Sequence, residues 1–120
     1  MRILLSVTIF LCAAVPALAQ PICTEPQIPP PVDGAHVNPD QLRAAVTAAK
    51  GYIALSDVYQ SCLMGELEAA RTQAGAEGHS LDPVVESGTR LRLATNQKTK
   101  EKVGTEINTA IDVYKKTHLK

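Results

Sequence analysis

The fold is decided by residues 38–74, which read NPDQLRAAVTAAKGYIALSDVYQSCLMGELEAARTQA. Asn38 is a residue type that caps helices, and Pro39 suits the first helical position. Gln41 stands where a capping box needs a side chain that returns a hydrogen bond, and Val37 and Leu42 have the spacing of a hydrophobic staple. These signals predict a helix over about 39–74, which is roughly 50 Å long at 1.5 Å per residue.

One face of this predicted helix is apolar. At 100° per residue, nine side chains fall within about 140° of one another: Leu42, Val46, Ala49, Tyr52, Ile53, Tyr59, Leu63, Met64 and Leu67. Ser56 and Gln60 interrupt that face. A second, narrower face carries Leu55, Val58 and Cys62, which places Cys62 beside apolar residues that a tethered arm could cover.

A second helical region follows a turn at residues 75–82, which contain Gly75, Gly78 and Ser80. Asp82 and Pro83 repeat the sequence of a capping residue followed by proline. The apolar spacing continues to about residue 117, but residues 96–102, NQKTKEK, are polar. The sequence therefore predicts either one helix or two over about 83–117, within a helical domain at residues 38–120. The fold class is all-α, a helical hairpin or a three-helix unit.

The environment of Asn96 distinguishes one continuous helix over about 83–117 from two helices. It lies on the predicted apolar face of the second region, beside Gln97. We favour a break between two helices that leaves Asn96 in solvent. The alternative is a buried amide that fixes the register of helix pairing, as single buried asparagines do in coiled coils.

Residues 1–19 have the three parts of a secretory signal peptide. Arg2 precedes an apolar run over residues 3–15, and small residues at 17 and 19 suit cleavage between Ala19 and Gln20. The run is shorter than the roughly 20 residues that a spanning helix needs. We expect a periplasmic or secreted protein that has no transmembrane segment after cleavage.

Residues 20–37 form a proline-rich arm, which we expect to be extended because proline fixes φ and lacks a backbone donor. Removal of the signal peptide leaves Cys23 and Cys62 as the only two cysteines. In an oxidising compartment such a pair predicts a disulfide bond. No Cys-x-x-Cys spacing indicates redox activity.

Charge is unevenly distributed although the chain has 12 basic and 12 acidic residues. Residues 40–86 hold seven acids and three bases, whereas residues 87–120 hold eight bases and three acids. Either the asymmetry cancels where the two helical regions pack, or the basic half contacts an anionic surface. Because basic and acidic residues are equal in number and no aromatic residues lie among the basic ones, the sequence gives no reason to expect nucleic-acid binding.

No motif indicates catalysis. His36, His79 and His118 lie in the arm, the turn and the tail, without the spacing of a preformed metal site. There is no glycine-rich phosphate loop, no nucleophile elbow, and no serine beside an activating base. We predict that the protein is not an enzyme, and we assign no catalytic, cofactor-binding or metal-ligating residue.

Three segments carry a resemblance to a known group of proteins. They are SDVYQSCL at 56–63, Asn96-Gln97, and the stretch from Val103-Gly104 to Tyr114-Lys115. Together with the arm that bears one cysteine, they resemble small exported helical proteins of proteobacteria. The resemblance implies export and this architecture, and it transfers no catalytic or binding residue.

Two functional hypotheses follow. The first is a non-enzymatic exported protein that binds a partner or ligand through a helical face, because the small side chains leave too little apolar volume for a deep core. Its partner would be another protein or a second copy of the chain. The alternative is a structural or envelope-associated protein whose basic C-terminal half contacts anionic surfaces.

Overall fold

A computed structural model describes residues 22–119 as a helical hairpin preceded by an extended arm. Helix α1 spans Pro39–Ala76 and helix α2 spans Pro83–His118. The described residues contain no β-strand. The prediction of an all-α hairpin with an extended arm is confirmed, whereas the predicted signal peptide and its cleavage site at Ala19 and Gln20 lie outside the described residues.

Both helices begin at the predicted prolines. Asn38 Oδ1 accepts a hydrogen bond from the backbone N–H of Gln41 at 2.9 Å. The Gln41 side chain in turn accepts one from the backbone N–H of Asn38 at 2.9 Å, which completes the capping box. At the start of α2, Asp82 Oδ1 accepts from the backbone N–H of Val84 at 2.8 Å. Each cap stabilises its helix by about 1 kcal/mol.

Helix α2 is continuous through its polar middle, so the favoured prediction of a solvent-facing break at Asn96 is wrong. Asn96 is fully buried and faces Ser56 and Gln60 of α1. The residues after it remain helical because Gln, Lys and Glu have good helix propensity and extend towards solvent or across to α1. Lys100, for example, donates to Asp57 at 2.6 Å. The hairpin therefore has two helices and not three.

The arm runs antiparallel to α1, from Cys23 to a turn at residues 34–36. The eleven residue steps from Cys23 to Gly34 would span about 34 Å at the rise of a polyproline helix. The 23 residue steps from Pro39 to Cys62 rise by about 35 Å in an α-helix. Because the two lengths match, the arm returns from Cys62 to the start of α1 without slack.

The arm packs into the groove between the two helices. Pro29, Pro30, Pro31 and Val32 surround a cavity of about 20 Å³ together with side chains from both helices: Ala45 and Ala49 of α1, and Val103, Glu106 and Ile107 of α2. The arm is therefore the third element of the core.

Gly34 makes the closest approach between the arm and α2. A Cβ atom built on Gly34 would overlap the carbonyl group of Ala110 and lie 3.0 Å from the backbone N of Tyr114. Asp33 shapes the turn here, because its Oδ1 accepts from the backbone N–H of Ala35 at 2.9 Å. Only glycine allows this arm to contact the α2 backbone.

The core is thin and consists of two clusters separated by a polar layer. Near the disulfide, Cys23, Tyr59 and Leu63 are buried, with Cys62 and Leu93 against them. The second cluster contains Ala49, Tyr52 and Val103, packed on Ile107. Within residues 22–119, neither helix has an apolar stretch capable of crossing a membrane.

Candidate functional site

The predicted disulfide joins Cys23 of the arm to Cys62 near the middle of α1, with the two Cα atoms 5.7 Å apart. Cys23 is buried, and its backbone N–H donates to Glu66 Oε1 at 3.3 Å. The arm is therefore fixed to α1 at one end by the disulfide and at the other by the contact of Gly34 with α2. Such a bond is consistent with a protein that folds in an oxidising compartment.

An apolar groove lies beside the disulfide, on the side of the arm that faces away from α2. It has a volume of about 340 Å³. Its apolar walls come from the arm and from one face of α1: Ile22, Cys23, Pro26, Leu55, Val58, Tyr59 and Cys62. Ile22 is 89% exposed, Leu55 57% and Val58 65%. Large apolar side chains thus remain in solvent next to a rigid covalent link.

The arm covers Cys62 of this face but leaves Leu55 and Val58 exposed. The arm instead follows the groove between the helices, where its prolines contact α1 and α2 together. On the outer face it would contact α1 alone and bury less apolar area, which is the main source of stabilisation. The outer face of α1 is consequently left open.

A polar layer crosses the hairpin between the two core clusters. The Gln60 amide donates to Asn96 Oδ1 at 2.8 Å and to Gln97 Oε1 at 3.2 Å. The Asn96 amide lies 3.4 Å from Ser56 Oγ, and both residues are fully buried. No buried side-chain polar atom in the described part of the chain lacks a hydrogen-bond partner. The layer fixes the register of α1 against α2, as the buried-amide alternative predicted.

Ion pairs engage much of the charge of α2. Glu86 accepts from Arg90 and from Arg71 of α1, each at 2.7 Å. These hydrogen bonds, first that of Arg90 and then that of Arg71, lower the pKa of Glu86. Lys100 pairs with Asp57, and Lys102 lies 3.7 Å from Glu106. Part of the basic character of the C-terminal half is therefore neutralised within the hairpin.

The three histidines lie in separate places, each with local partners. His36 Nδ1 is 2.6 Å from Asp33 Oδ2, and the ring of His118 stacks on Tyr114 with centroids 4.4 Å apart. His79 contacts the Ser80 carbonyl and Glu77, and these two acceptors raise the pKa of its imidazole. The structure does not bring the three rings together into a site.

One group of potential metal ligands occurs in the described residues, formed by Cys23, Cys62 and Glu66, whose ligand atoms lie within 4.8 Å of one another. The two sulfur atoms are bonded to each other, and a metal ion needs the thiolate. The group does not constitute a metal site while the disulfide is intact.

Sequence reasoning missed two residues of this region. Ile22 forms one wall of the groove. The only sequence feature that could have indicated this is that Ile22 is apolar and adjacent to Cys23. Gly34 was included in the extended arm without a role of its own, whereas its backbone contacts α2. A local sequence pattern does not indicate which distant backbone segment a glycine will contact in the folded protein.

Comparisons with protein-family models, curated proteins and solved structures found no match to this chain. The resemblance to small exported proteins of proteobacteria stays a prediction.

Proposed function

We propose that this chain is an exported, non-enzymatic protein that works by binding an apolar segment of a partner in the groove beside its disulfide. The observation that carries the proposal is the exposure of Ile22, Leu55 and Val58 around one groove. Exposed apolar side chains that are contiguous and rimmed by polar residues are typical of interaction surfaces.

The arrangement suits binding because its walls are rigid before a partner arrives. Leu55 and Val58 lie on a helix of 38 residues, and the disulfide holds the arm beside them. A preformed surface loses little conformational entropy on association. The groove lies between α1 and the arm and has apolar walls, so an extended or helical apolar segment suits it better than a polar ligand does.

Export to the periplasm or outside the cell is part of the same proposal. It is supported by the disulfide and by the sequence of residues 1–19, which has the parts of a signal peptide. The alternative, contact of the basic half with anionic surfaces, has less support. Several of the cations on α2 are engaged in ion pairs or, for Arg92, lie over the ring of Tyr59.

The test uses an environment-sensitive apolar dye and compares two valine variants. Val58→Asp places a charge in the groove, and Val84→Asp places the same charge at the start of α2, where Val84 is 75% exposed. We expect the wild type and Val84→Asp to bind the dye equally, and Val58→Asp to bind it at least about 10-fold more weakly. Circular dichroism and an intact disulfide would establish that both variants fold. Equal binding by Val58→Asp and the wild type would refute the proposal.

A further inference from the structure

The outer face of α1 carries a continuous seam of small and apolar residues, which we name the outer seam. Its members follow one another at alternating steps of four and three residues: Ala44, Ala48, Gly51, Leu55, Val58, Cys62, Gly65, Ala69, Thr72 and Ala76. All of them except the half-buried Cys62 are exposed. Alternating steps of four and three are the spacing with which helices pair in coiled coils.

The outer seam is distinct from the face that α1 uses within the hairpin. The buried residues of α1 have the same spacing but are displaced by one position, as Tyr52, Ser56 and Tyr59 show. One position corresponds to about 100° around the helix. Helix α1 therefore has two faces suited to helix packing, one occupied by α2 and the arm and the other covered, within the described chain, only at Cys62 by its disulfide to Cys23.

We propose that the outer seam pairs with the outer seam of a second copy, with the two α1 helices antiparallel and centred near Gln60. This inference rests on the proposed function, because it names the occupant of the same face. Residue sizes match in this register: Leu55 lies opposite Gly65 of the second copy, and Gly51 lies opposite Ala69. Both glycines have open space where a Cβ atom would be, so a large side chain can enter.

A parallel pairing fits the same residues poorly. It would place Leu55 against Leu55 of the second copy, and Gly65 against Gly65. The leucine layer would set a helix spacing that leaves a void at the glycine layer, whereas protein interfaces pack as densely as interiors. Size complementarity thus selects the antiparallel arrangement.

Charge at the edge of the outer seam favours the same orientation. Lys50 and Glu68 are exposed on one edge of α1, towards its N-terminal and C-terminal ends respectively. In the antiparallel pair Lys50 lies near Glu68 of the second copy, and the two-fold symmetry creates this contact twice. In a parallel pair the same edge of the two copies lies on opposite sides of the interface, so Lys50 and Glu68 would not meet.

The area available is enough for a specific but modest interface. From Ala44 to Ala76 the seam is about 48 Å long, and a helix is about 10 Å across. The footprint is roughly 500 Å² per copy and 1,000 Å² in total, at the lower end of specific interfaces. The groove at Leu55 and Val58 lies near the centre of the pair, so the largest apolar groups meet where water is best excluded.

Sedimentation velocity over a concentration series tests the dimer with the disulfide-bonded protein. We expect a reversible dimer with a dissociation constant on the order of 1–100 μM, as suits an interface of this size. Ala48→Glu places two charges in the seam of each dimer and is expected to weaken it by on the order of 100-fold. The matched control Ala94→Glu changes an exposed alanine of α2 and is expected to leave dimerisation unchanged. A wild type that stays monomeric, or equal dimerisation by Ala48→Glu, would overturn the inference.

A spin label at Thr47 tests the orientation. In the antiparallel dimer centred near Gln60, Thr47 lies opposite Gln73 of the second copy, so the two labels are about 39 Å apart along the helix axes at 1.5 Å per residue. A parallel dimer would bring them within about 15 Å, since paired helix axes lie 8–10 Å apart. A short distance would overturn the antiparallel arrangement.

The dye experiment separates failure of this inference from failure of the proposed function. A monomeric wild type that binds the dye at Val58 contradicts the dimer and leaves the binding groove in place. A monomeric wild type that binds no dye contradicts both.

Discussion

Substitution of Gly34 by alanine tests the account of how the arm is held. The added Cβ would overlap the Ala110 carbonyl and approach the backbone N of Tyr114. Both atoms belong to the backbone of a long helix and cannot move aside, so the arm must lift from α2. Overpacking of this kind costs about 1–3 kcal/mol. Alanine also lowers the conformational entropy of the unfolded chain, which offsets about 0.4–1 kcal/mol of that loss in stability. The net expectation is a loss of about 1–2 kcal/mol.

The matched control is Gly88→Ala, because Gly88 lies inside α2 with open space around it. Alanine in a helix interior is favoured over glycine by about 0.5–1 kcal/mol. The same chemical change is therefore expected to have opposite signs at the two positions.

The assay is urea or thermal unfolding of the disulfide-bonded proteins followed by circular dichroism. A change of 1 kcal/mol shifts Tm by about 4–8 °C for a domain of 60–100 residues. We therefore expect Gly34→Ala to melt about 5–15 °C below the wild type, and Gly88→Ala to melt a few degrees above it. If Gly34→Ala were as stable as the wild type, the arm would not lie against α2 as described.

Three further predictions concern other parts of the hairpin. Replacement of both Cys23 and Cys62 by serine removes a link across 39 residues of sequence, and the loop-entropy model predicts a loss of about 4 kcal/mol in unfolding free energy, measured by urea denaturation. Asn96→Leu leaves the Gln60 amide without its buried acceptor and is expected to cost about 1–3 kcal/mol in the same assay, whereas an unchanged midpoint would remove the polar layer from the account. The folded-state pKa of Glu86 is lowered, so its contribution to stability is present above its unfolded pKa and is lost as pH falls through the folded pKa. Glu86→Gln should therefore lower Tm at neutral pH and converge with the wild type in acid, and a constant difference across pH would contradict this ionisation argument.

The helix starts were predictable because their signals are local. The capping box at Asn38 and Gln41, and the cap at Asp82, depend on residues within three positions of one another. The disulfide was predictable by elimination, since the predicted cleavage after Ala19 would leave two cysteines.

The sequence left open whether α2 is continuous, and the break at Asn96 was wrongly favoured because the environment of Asn96 is set by residues about 40 positions away. A polar residue on an apolar face indicates a break when it is considered alone. Ser56 and Gln60 interrupt the apolar face of α1 at the matching height of the hairpin. When the interruption of α1 at Ser56 and Gln60 is considered together with that of α2 at Asn96, the sequence predicts a polar layer between two continuous helices.

The candidate site was predicted only in part. The narrow face of Leu55, Val58 and Cys62 was recognised from the sequence, but whether the arm covers it was not determined by the sequence. The path of the arm depends on the space between the two helices and on the contact of Gly34 with Ala110, and neither is encoded by a local pattern. The open face of α1 is a consequence of that path.

The central claim is that the face of α1 around Leu55 and Val58 is the surface through which the protein binds. The most direct test is a methyl NMR titration, in which the disulfide-bonded protein is observed as its own concentration is raised and, separately, as an apolar ligand is added. The account predicts chemical-shift changes that concentrate on the methyl groups of Ile22, Leu55 and Val58. Changes that concentrate instead on the exposed Val84 and Leu91 of α2, or no changes at all, would contradict it.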